Sequence, residues 1–452
     1  MEKVTEKLAE FICRSHYETI PREVIEVSKL HILDTLGVLI AGSKEGGAEI
    51  VKGYILSLGC GRESTLLTQG IKTSASYAAF GNGVLGHVLD FDDYEVPSMA
   101  HPSVTVLPAV LAMGEKMKAS GKACLEAYLA GMEVISKVGR GIAPDHYDKG
   151  WHSTGTLGAL GSASASSKLL KLDVERVRMA LGIAASMSSG LRANFGSMTK
   201  SFHAGHAARN GVEAAGLARL GFTASREALE SELGFCNLFT EGKKYDLQKI
   251  VEGLGDPYSL LSPGVGKKPY PSCAATHSFL DGILSLIEQY DIKAEDVDSV
   301  ECGIFYRLPS QLIHSNPKTG LEGKFSLEFC IALALQERRV SLGHFTDSKV
   351  REPGIQKLIK KITKEVTDEA GGKGTELPTA ILTVHMKNGA TYPCRVRTRK
   401  GSPRSPLSAQ EVMSKFLECA QLNYSLQQSR RIAEAVMEME KAEDIREIVR
   451  HF

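Results

Sequence analysis

Apolar residues recur at spacings of three and four through the first half of the chain. The pattern is clear in VTEKLAEFICRSH, from Val4, and in PREVIEVSKLHILDTLGVLIAG, where Pro21 suits a first helical turn and Gly42 suits a helix end. It predicts helices up to about residue 250, several of them rich in Gly, Ala and Ser and therefore able to pack closely. The further helices are predicted over 73–93, 103–119, 121–142, 155–171, 173–189, 203–220 and 225–234.

The pattern changes at KKPYPSC (267–273), where two prolines in three residues break a helix. Beyond it, VDSVECGIFYRL reads as a strand, and two alternating runs around Asn388-Gly389 read as a hairpin, with helices between them. Helical spacing returns from about residue 407. The sequence therefore predicts a mainly α fold: a large all-helical domain built from both chain ends (1–266 and 398–452) and a smaller α+β lid domain (267–397).

The charge balance limits the classes of partner. With 54 Lys and Arg against 53 Asp and Glu, the formal net charge is +1. A nucleic-acid binder would show a basic excess, so no nucleic-acid partner is predicted, although a small anion needs only a few cations. No apolar run reaches the roughly 20 residues of a membrane span. The nine scattered cysteines, without a CxxC pair, and the lack of a secretory signal predict a cytoplasmic protein with reduced thiols and no membrane partner.

Ionisable residues gather in GHVLDFDDYEVPSMAHPS (86–103), directly after an apolar segment. If 73–93 is helical, His87, Asp90 and Asp93 lie on one side and Asp92 points elsewhere. His101 then lies in the loop before the next helix, within reach of Asp90 or Asp93. A carboxylate beside an imidazole supports general acid–base catalysis at neutral pH. The competing interpretation is that these acids cap neighbouring helices.

Two further segments carry candidate residues of the helical domain. In GWHSTGTLG (150–158), His152 either faces a cavity or satisfies a carbonyl at a helix start. In LRANFGSMTKSFHAGHAARNG (191–211), Lys200 and His203 are three residues apart and Arg192 flanks them. Buried cations need matching anions, which a carboxylate substrate or the acids at 90–95 could supply. Lys200 is therefore a candidate catalytic residue, and Arg192 and His203 are candidate substrate-binding residues.

At the predicted domain junction, KKPYPSCAATH (267–277) contains Lys268 and His277. Pockets often form at such junctions, although Lys268 could equally be a solvated hinge lysine. The chain has no GxGxxG after a strand and no P-loop, HExxH, EF-hand or GxSxG motif. The sequence therefore does not predict a nucleotide-binding protein, a zinc hydrolase or an α/β-hydrolase of the usual kind.

Five segments, in order, closely resemble the MmgE/PrpD family, which includes 2-methylcitrate dehydratase, cis-aconitate decarboxylase and iminodisuccinate epimerase. They are DFDDYEVPSMAHPS, WHSTGTLGALGSA, GSMTKSFHAGHAARNG, KPYPSCAATH and GKFSLEFCIALAL. The resemblance covers nearly the whole chain. It implies a helical domain with a smaller lid domain, a homodimer, and a site between the domains that uses neither metal nor cofactor.

The resemblance also implies roles for individual residues. The family's acidic-motif aspartate corresponds to Asp90, its HPS histidine to His101, its motif lysine to Lys200, and its junction lysine and histidine to Lys268 and His277. The histidine before the small-residue helix corresponds to His152.

Two tyrosines are candidate substrate contacts by the same resemblance. Tyr306 is matched to a lid tyrosine of the decarboxylases. Many relatives read DFDDT, so Tyr94 stands here where they carry a small hydroxyl.

The predicted function is therefore that of a lyase which moves a proton at a carbon next to a carboxylate of a small di- or tricarboxylic acid. His101, paired with Asp90 or Asp93, is the expected acid or base, with His152 as its counterpart. Lys200, Lys268 and Arg192 are expected to stabilise negative charge. Dehydration, decarboxylation and epimerisation all remain open.

Two hypotheses from outside this reaction class compete with it. A Mg²⁺-dependent helical isoprenoid enzyme could use DFDDYE as its metal-binding motif, because clustered carboxylates bind Mg²⁺ through oxygen. A catalytically inactive relative of the family is the second hypothesis, since Tyr94 departs from the family pattern.

Overall fold

The computed structural model describes residues 3–372 and 378–452, and the chain divides into a helical unit and a smaller α+β unit. The helical unit runs to Asn194 and includes Met198–Lys267 and Ser408–Phe452, while the α+β unit comprises Phe195–Ser197 and Lys268–Leu407. The two main breaks lie after residues 267 and 407, against predicted positions after 266 and 397. The prediction of a mainly α fold with a small α+β portion is confirmed.

The helical unit begins with a long series of helices and one small antiparallel pair of strands, β1 (Ser64–Leu66) and β2 (Ile71–Thr73). Within the described residues, no helix combines the length and the apolar character needed to cross a bilayer. The first helices are α1 (Val4–Arg14), α2 (Arg22–Gly42), α3 (Gly46–Ser57), α4 (Ala75–His87), α5 (Ser103–Met117), α6 (Gly121–Ile142), α7 (Asp145–Asp148), α8 (Ser153–Leu169), α9 (Val174–Ser186), α10 (Thr199–Arg219), α11 (Phe235–Leu238) and α12 (Leu247–Val251).

The α+β unit is built on a four-stranded sheet of order β4-β3-β5-β6. Its strands are β3 (Val297–Ile304), β4 (Ile362–Val366), β5 (Ala380–Met386) and β6 (Thr391–Val396), and only the β3–β4 pair is parallel. Its helices are α13 (His277–Tyr290), α14 (Leu308–Gln311), α15 (Gly320–Gly323), α16 (Leu327–Glu337), α17 (Asp347–Val350) and α18 (Pro353–Ile359).

The hairpin predicted at Asn388-Gly389 joins β5 to β6, with Gly389 at a φ of 87° that favours glycine. The parallel edge strand β4 was not predicted, because its largely exposed ITKEV sequence lacks a strong apolar alternation. The chain then returns to the helical unit with α19 (Ala409–Ala420), α20 (Leu426–Met437) and α21 (Arg446–Val449).

Small residues bring α10 close to both α4 and α8, as the sequence composition predicted. A Cβ atom added to Gly83 in α4 would lie 2.7 Å from the Cα of Gly205 in α10. On the other side of α10, a Cβ on Gly211 would overlap Ser162 of α8. The backbones approach this closely only because these positions lack side chains. This packing fixes the first turns of α10, which carry Lys200, next to the end of α4.

Two of the predicted helices are corrected by the structure. The helix predicted over 73–93 ends at His87, and the segment 225–234 forms turns instead of a helix. In the second case, tertiary hydrogen bonds replace the helical ladder: the buried Glu230 carboxylate accepts from the backbone N–H of Thr5 at 3.2 Å, and the N–H of Leu229 donates to the Thr5 hydroxyl. These bonds tie the segment to α1.

The packing of α10 gives a stability prediction. Gly205→Ala places a methyl group against the Phe80 carbonyl oxygen, so we expect it to lower the free energy of unfolding by about 1–3 kcal/mol. Gly216→Ala in the same helix is the matched control, because no atom lies within 4 Å of the added Cβ. This control should instead raise the free energy of unfolding by about 0.5–1 kcal/mol, because Ala has a higher helix propensity than Gly. Urea unfolding measures both; a neutral or stabilising Gly205→Ala would contradict the proposed close approach.

Candidate active site

A cluster of ionisable side chains is buried inside the helical unit. Its members come from the end of α4, the loop that follows, the start of α8 and the first turns of α10. All but one are at most 5% exposed, and the exception is His101, whose side chain is 16% exposed. Burial of so many polar groups requires that they satisfy one another. The members of the cluster are His87, Asp90, Asp92, His101, His152, Lys200 and His203.

A left-handed residue after α4 determines which aspartates face the cluster. Asp90 has a φ of 51°, a conformation that Asp tolerates better than most residues, so the chain turns sharply after the helix. Helical spacing therefore does not apply beyond His87. As a result Asp92, which the sequence prediction pointed elsewhere, faces His87, and its Oδ2 lies 2.8 Å from His87 Nδ1.

Lys200 joins the two sides of the cluster. Its Nζ donates to Asp90 Oδ1 at 2.6 Å and lies 3.0 Å from His87 Nε2. An ammonium group only donates, so His87 Nε2 accepts and its proton lies on Nδ1, which donates to Asp92. Burial lowers the pKa of His87 and keeps the ring neutral, against the opposing effect of Asp92. A carboxylate substrate and the acids at 90–95 were the two possible anions for Lys200. The structure places Asp90 of the acidic segment within hydrogen-bond distance of the ammonium.

His101 is oriented by the backbone of the acidic loop and not by the carboxylate of Asp93. Its Nδ1 lies 2.7 Å from the Asp93 carbonyl oxygen, which can only accept, so Nδ1 carries the proton. Oδ2 of Asp92 lies 3.5 Å from the same Nδ1 atom. Asp92 is thus a carboxylate neighbour of His101 that the sequence did not predict, the Asp93 carboxylate is engaged by other groups, and the predicted pairing with Asp90 stays a prediction. In the neutral ring, Nε2 is the nitrogen that can exchange a proton with another molecule.

Asp93 serves the helix start behind the cluster. Its carboxylate accepts from the backbone N–H of Ser103 at 3.2 Å and from the Ser103 hydroxyl, and it lies 2.9 Å from His31 Nδ1. Burial raises the pKa of Asp93 to about 7, and it lowers the pKa of His31 well below its usual range. For Asp93 the geometry supports the competing interpretation, an acid that caps a neighbouring helix. The charge of Lys267 opposes the effect of burial on the pKa of Asp93. Burial lowers the pKa of Lys267 itself to about 8.

His152 and His203 face each other across the start of α8. Their Nδ1 atoms are 3.0 Å apart, and the His152 ring stacks on His87 with centroids 5.7 Å apart and an interplanar angle of 20°. Burial lowers the pKa of His152 well below its usual range and that of His203 to about 4, and the Lys200 charge acts in the same direction. Both rings are therefore neutral near pH 7.

Arg192 and Tyr94 are engaged by their own neighbours. The Arg192 guanidinium donates to the carbonyl oxygen of Tyr147 at 2.8 Å and lies over the Tyr147 ring, 3.8 Å from its centroid. Tyr94 forms an antiparallel bridge with Gly266, and a Cβ added to that glycine would lie 2.6 Å from the Tyr94 ring. The tyrosine at this position thus requires a glycine opposite it.

The remaining predicted residues belong to the α+β unit. Lys268 is fully buried there, and His277 Nε2 lies 3.1 Å from the carbonyl oxygen of Ser272. The backbone N–H of Tyr306 bonds the carbonyl oxygen of Gly371. Their assignment to substrate binding stays a prediction.

Sequence reasoning missed Asp92 and underrated His87, and the signal that could have found Asp92 is weak. Asp92 lies in the run DFDD, where a helix end cannot be located from apolar spacing alone. These two residues, with Asp90 and His101, present potential metal-ligating atoms within 4.8 Å of one another. Nitrogen and carboxylate oxygen donors suit a divalent ion. However, the Lys200 ammonium lies against two of the four and supplies a positive charge of its own.

Comparisons with known proteins point to one family. The model of the MmgE/PrpD N-terminal domain matches residues 6–248, and that of the C-terminal domain matches residues 270–441. A cis-aconitate decarboxylase from Homo sapiens is 30% identical over 462 residues, which cover 98% of this chain and 93% of the relative. A cis-aconitate decarboxylase from Aspergillus terreus is 25% identical over 471 residues, with 98% and 94% covered.

The buried Asp93 carboxyl gives a pH-dependence prediction. Its pKa is 3.8 in an ordinary setting and about 7 in the fold, so the folded state holds an extra proton between these values. The contribution of this group to stability is present at low pH and falls as pH rises from about 4 to 7, by up to about 1.4 kcal/mol per pH unit. Asp93→Asn removes this dependence.

Urea unfolding of both proteins at several pH values from about 4.5 to 7.5 measures the effect across the window in which the two states differ in bound protons. As pH rises, the free energy of unfolding of the wild type should fall relative to that of the variant, because the amide that replaces the Asp93 carboxyl in the variant does not ionise. A difference between the two proteins that stays constant across this range would mean that Asp93 titrates near its ordinary value.

Proposed function

Because this chain belongs to the MmgE/PrpD family, we propose that it is a lyase that removes CO₂ from an aconitate-like tricarboxylate without a metal or cofactor. The observation that carries the proposal is the buried cluster of imidazoles and one ammonium around Asp90 and Asp92. Decarboxylation is favoured over dehydration and epimerisation because the human and fungal relatives are named cis-aconitate decarboxylases.

The proposed reaction consumes one proton. The bond between carbon and the departing carboxylate breaks, and its electron pair shifts through the neighbouring double bond to a carbon next to a second carboxylate. The carbanion is delocalised onto that carboxylate, so a fixed positive charge near its oxygens lowers the barrier. An acid then delivers a proton to carbon, and the products are CO₂ and a dicarboxylate.

His101 is the proposed acid. Its Nδ1 proton is directed at the Asp93 carbonyl oxygen, so the ring is held with Nε2 as the exchangeable position. Asp92, at 3.5 Å, stabilises the protonated ring before the transfer. The ring is also the most exposed member of the cluster, which suits a group that must reach a bound molecule.

Lys200 and His152 have supporting roles in this proposal. Lys200 supplies a positive charge in a buried site, where a charge acts strongly on developing anionic oxygens. Asp90 keeps that charge in place before substrate binds. His152, neutral and stacked on His87, is the proposed counterpart of His101, acting as a second acid or base.

The remaining assignments rest on the family. We propose that Lys268, His277 and Tyr306 bind substrate, that Arg192 and Tyr94 help to shape the anion-binding region, and that the protein works as a homodimer in the cytoplasm. A dehydratase acting on a 2-methylcitrate-like acid is the nearest competing function within the family. NMR of the protein with cis-aconitate and with citrate-like acids in D₂O separates the two, since decarboxylation yields CO₂ and a deuterated product. Absence of turnover on every acid would overturn the proposal.

The His101 assignment gives an activity prediction. His101→Ala should lower kcat by roughly 10²-fold or more, the usual contribution of general acid–base catalysis. CO₂ release from cis-aconitate measures the rate. His16→Ala is the control, because His16 is exposed and is distant in sequence from every residue of the cluster.

Both proteins should keep the thermal unfolding midpoint of the wild type within a few degrees. A folded His101→Ala protein with near-wild-type turnover would show that another group delivers the proton.

Chelation tests the proposed role of the Lys200 charge. Dialysis against EDTA should leave kcat unchanged, because an ammonium and not a divalent ion lies against Asp90 and His87. Elemental analysis of the dialysed protein and the rate of CO₂ release are measured on the same sample. Loss of activity that added Mg²⁺ or Zn²⁺ restores would assign the four potential ligands to a metal instead.

A further inference from the structure

The His152–His203 pair imposes a condition on the protons of both rings. The two Nδ1 atoms are 3.0 Å apart, and the rings are 1% and 5% exposed. A hydrogen bond between two imidazole nitrogens needs one donor and one acceptor, so in the neutral pair only one Nδ1 carries a proton. The ring that donates from Nδ1 has an unprotonated Nε2, while the ring that accepts at Nδ1 carries its proton on Nε2. The tautomers of the two rings are therefore linked.

Two glycines make room for this pair. Gly190 has a φ of 136°, and a Cβ placed on it would lie 3.3 Å from Cγ of His203 and 3.5 Å from Cβ of His152. A Cβ on Gly155 would lie 3.2 Å from Cβ of His203. The backbone N–H of His152 also donates to the Gly190 carbonyl oxygen at 3.0 Å. The pair is thus enclosed on its backbone side and held at hydrogen-bond distance.

The charges that face the pair make a cation on His152 unfavourable. His87 and His101 lie on its side of the cluster, and Lys200 adds a full positive charge nearby. His203 is influenced by His87, Lys200 and His206, but its ring is the more exposed of the two, at 5% against 1% for His152. A proton taken up by the pair is therefore better accommodated on His203.

We propose that His203 is a positioning residue that sets the tautomer of His152 and takes the Nδ1 proton of His152 when Nε2 of that ring gains a proton. In this step a new N–H bond forms at His152 Nε2, the N–H bond at His152 Nδ1 breaks, and an N–H bond forms at His203 Nδ1. The pair gains one proton, His152 stays neutral, and the positive charge lies on His203. In the reverse transfer, His203 returns the proton to His152 Nδ1 while His152 Nε2 gives up its own proton, so His152 acts as an acid in that direction.

This role differs from the one predicted for His203 from the sequence, which was contact with substrate. The ring nitrogen Nδ1 is committed to His152, so His203 acts through that residue. The catalytic part of the inference rests on the proposed function, but the tautomer condition does not, because it follows from the distance between the two nitrogens.

Nitrogen NMR of the full chain, labelled with ¹⁵N at histidine, tests the tautomer condition near neutral pH without any substrate. His152→Asn and His203→Asn assign the two rings by the signals that disappear. We expect one ring of the pair as the Nδ1–H tautomer and the other as the Nε2–H tautomer. Both rings as Nε2–H tautomers, or a doubly protonated ring at this pH, would overturn the inference whatever the enzyme's substrate.

Kinetics of three variants test the role in turnover. His203→Phe fills the ring volume without a hydrogen bond and should lower kcat by about 10²-fold, with little change in KM. His203→Asn keeps a polar group near the Nδ1 position and should recover part of the loss, although it cannot take the proton. His206→Gln, one helical turn further on, is the control and should behave as the wild type.

Thermal unfolding of each variant confirms that it is folded. A His203→Phe protein with unchanged kcat and a raised KM would assign His203 to substrate binding and overturn the positioning role. If the wild type turns over none of the acids, the proposed function fails, while the NMR result still decides the linked tautomers.

Discussion

The site depends on one buried ion pair. Lys200 enters from α10 and meets Asp90, which follows α4, at 2.6 Å, and the same ammonium contacts His87 at 3.0 Å. Removing a lysine and an aspartate from water is costly, and the pair is tolerable only when each partner has further hydrogen bonds. Here the bond of His87 to Asp92 extends the network. Loss of one partner would leave an uncompensated charge in the interior, so the positions of α4, α10 and the acidic loop are linked.

Close helix packing makes this pair possible. The ammonium reaches Asp90 because α10 lies against α4 at a Gly–Gly contact, where even one added methyl group would meet backbone. The same helix carries His203 to the start of α8. The small residues of the sequence are therefore a condition for the chemistry as well as for packing. They set the separations between groups that must exchange protons.

Three aspartates within four residues serve three purposes. Asp90 pairs with the ammonium, Asp92 holds His87 near His101, and Asp93 binds Ser103 and His31 behind the cluster. Their divergence comes from the left-handed backbone at Asp90, which ends the helical spacing. Asp93 acts on His101 only through its backbone carbonyl oxygen. One short segment thus supplies charge balance, orientation of two imidazoles and a helix cap.

The sequence by itself determined the helical character of the chain, the α+β segment with its hairpin, and the set of ionisable residues from which the cluster is drawn. Those features follow from local rules: apolar spacing, glycine at turns, and the rarity of charges in apolar settings. Tertiary structure alone decided that α4 ends at His87, that Asp92 and not the Asp93 carboxylate lies beside His87 and His101, and that His152 pairs with His203. These outcomes depend on backbone angles and on contacts between residues far apart in the chain, such as the 51 positions that separate His152 from His203, which no local pattern encodes.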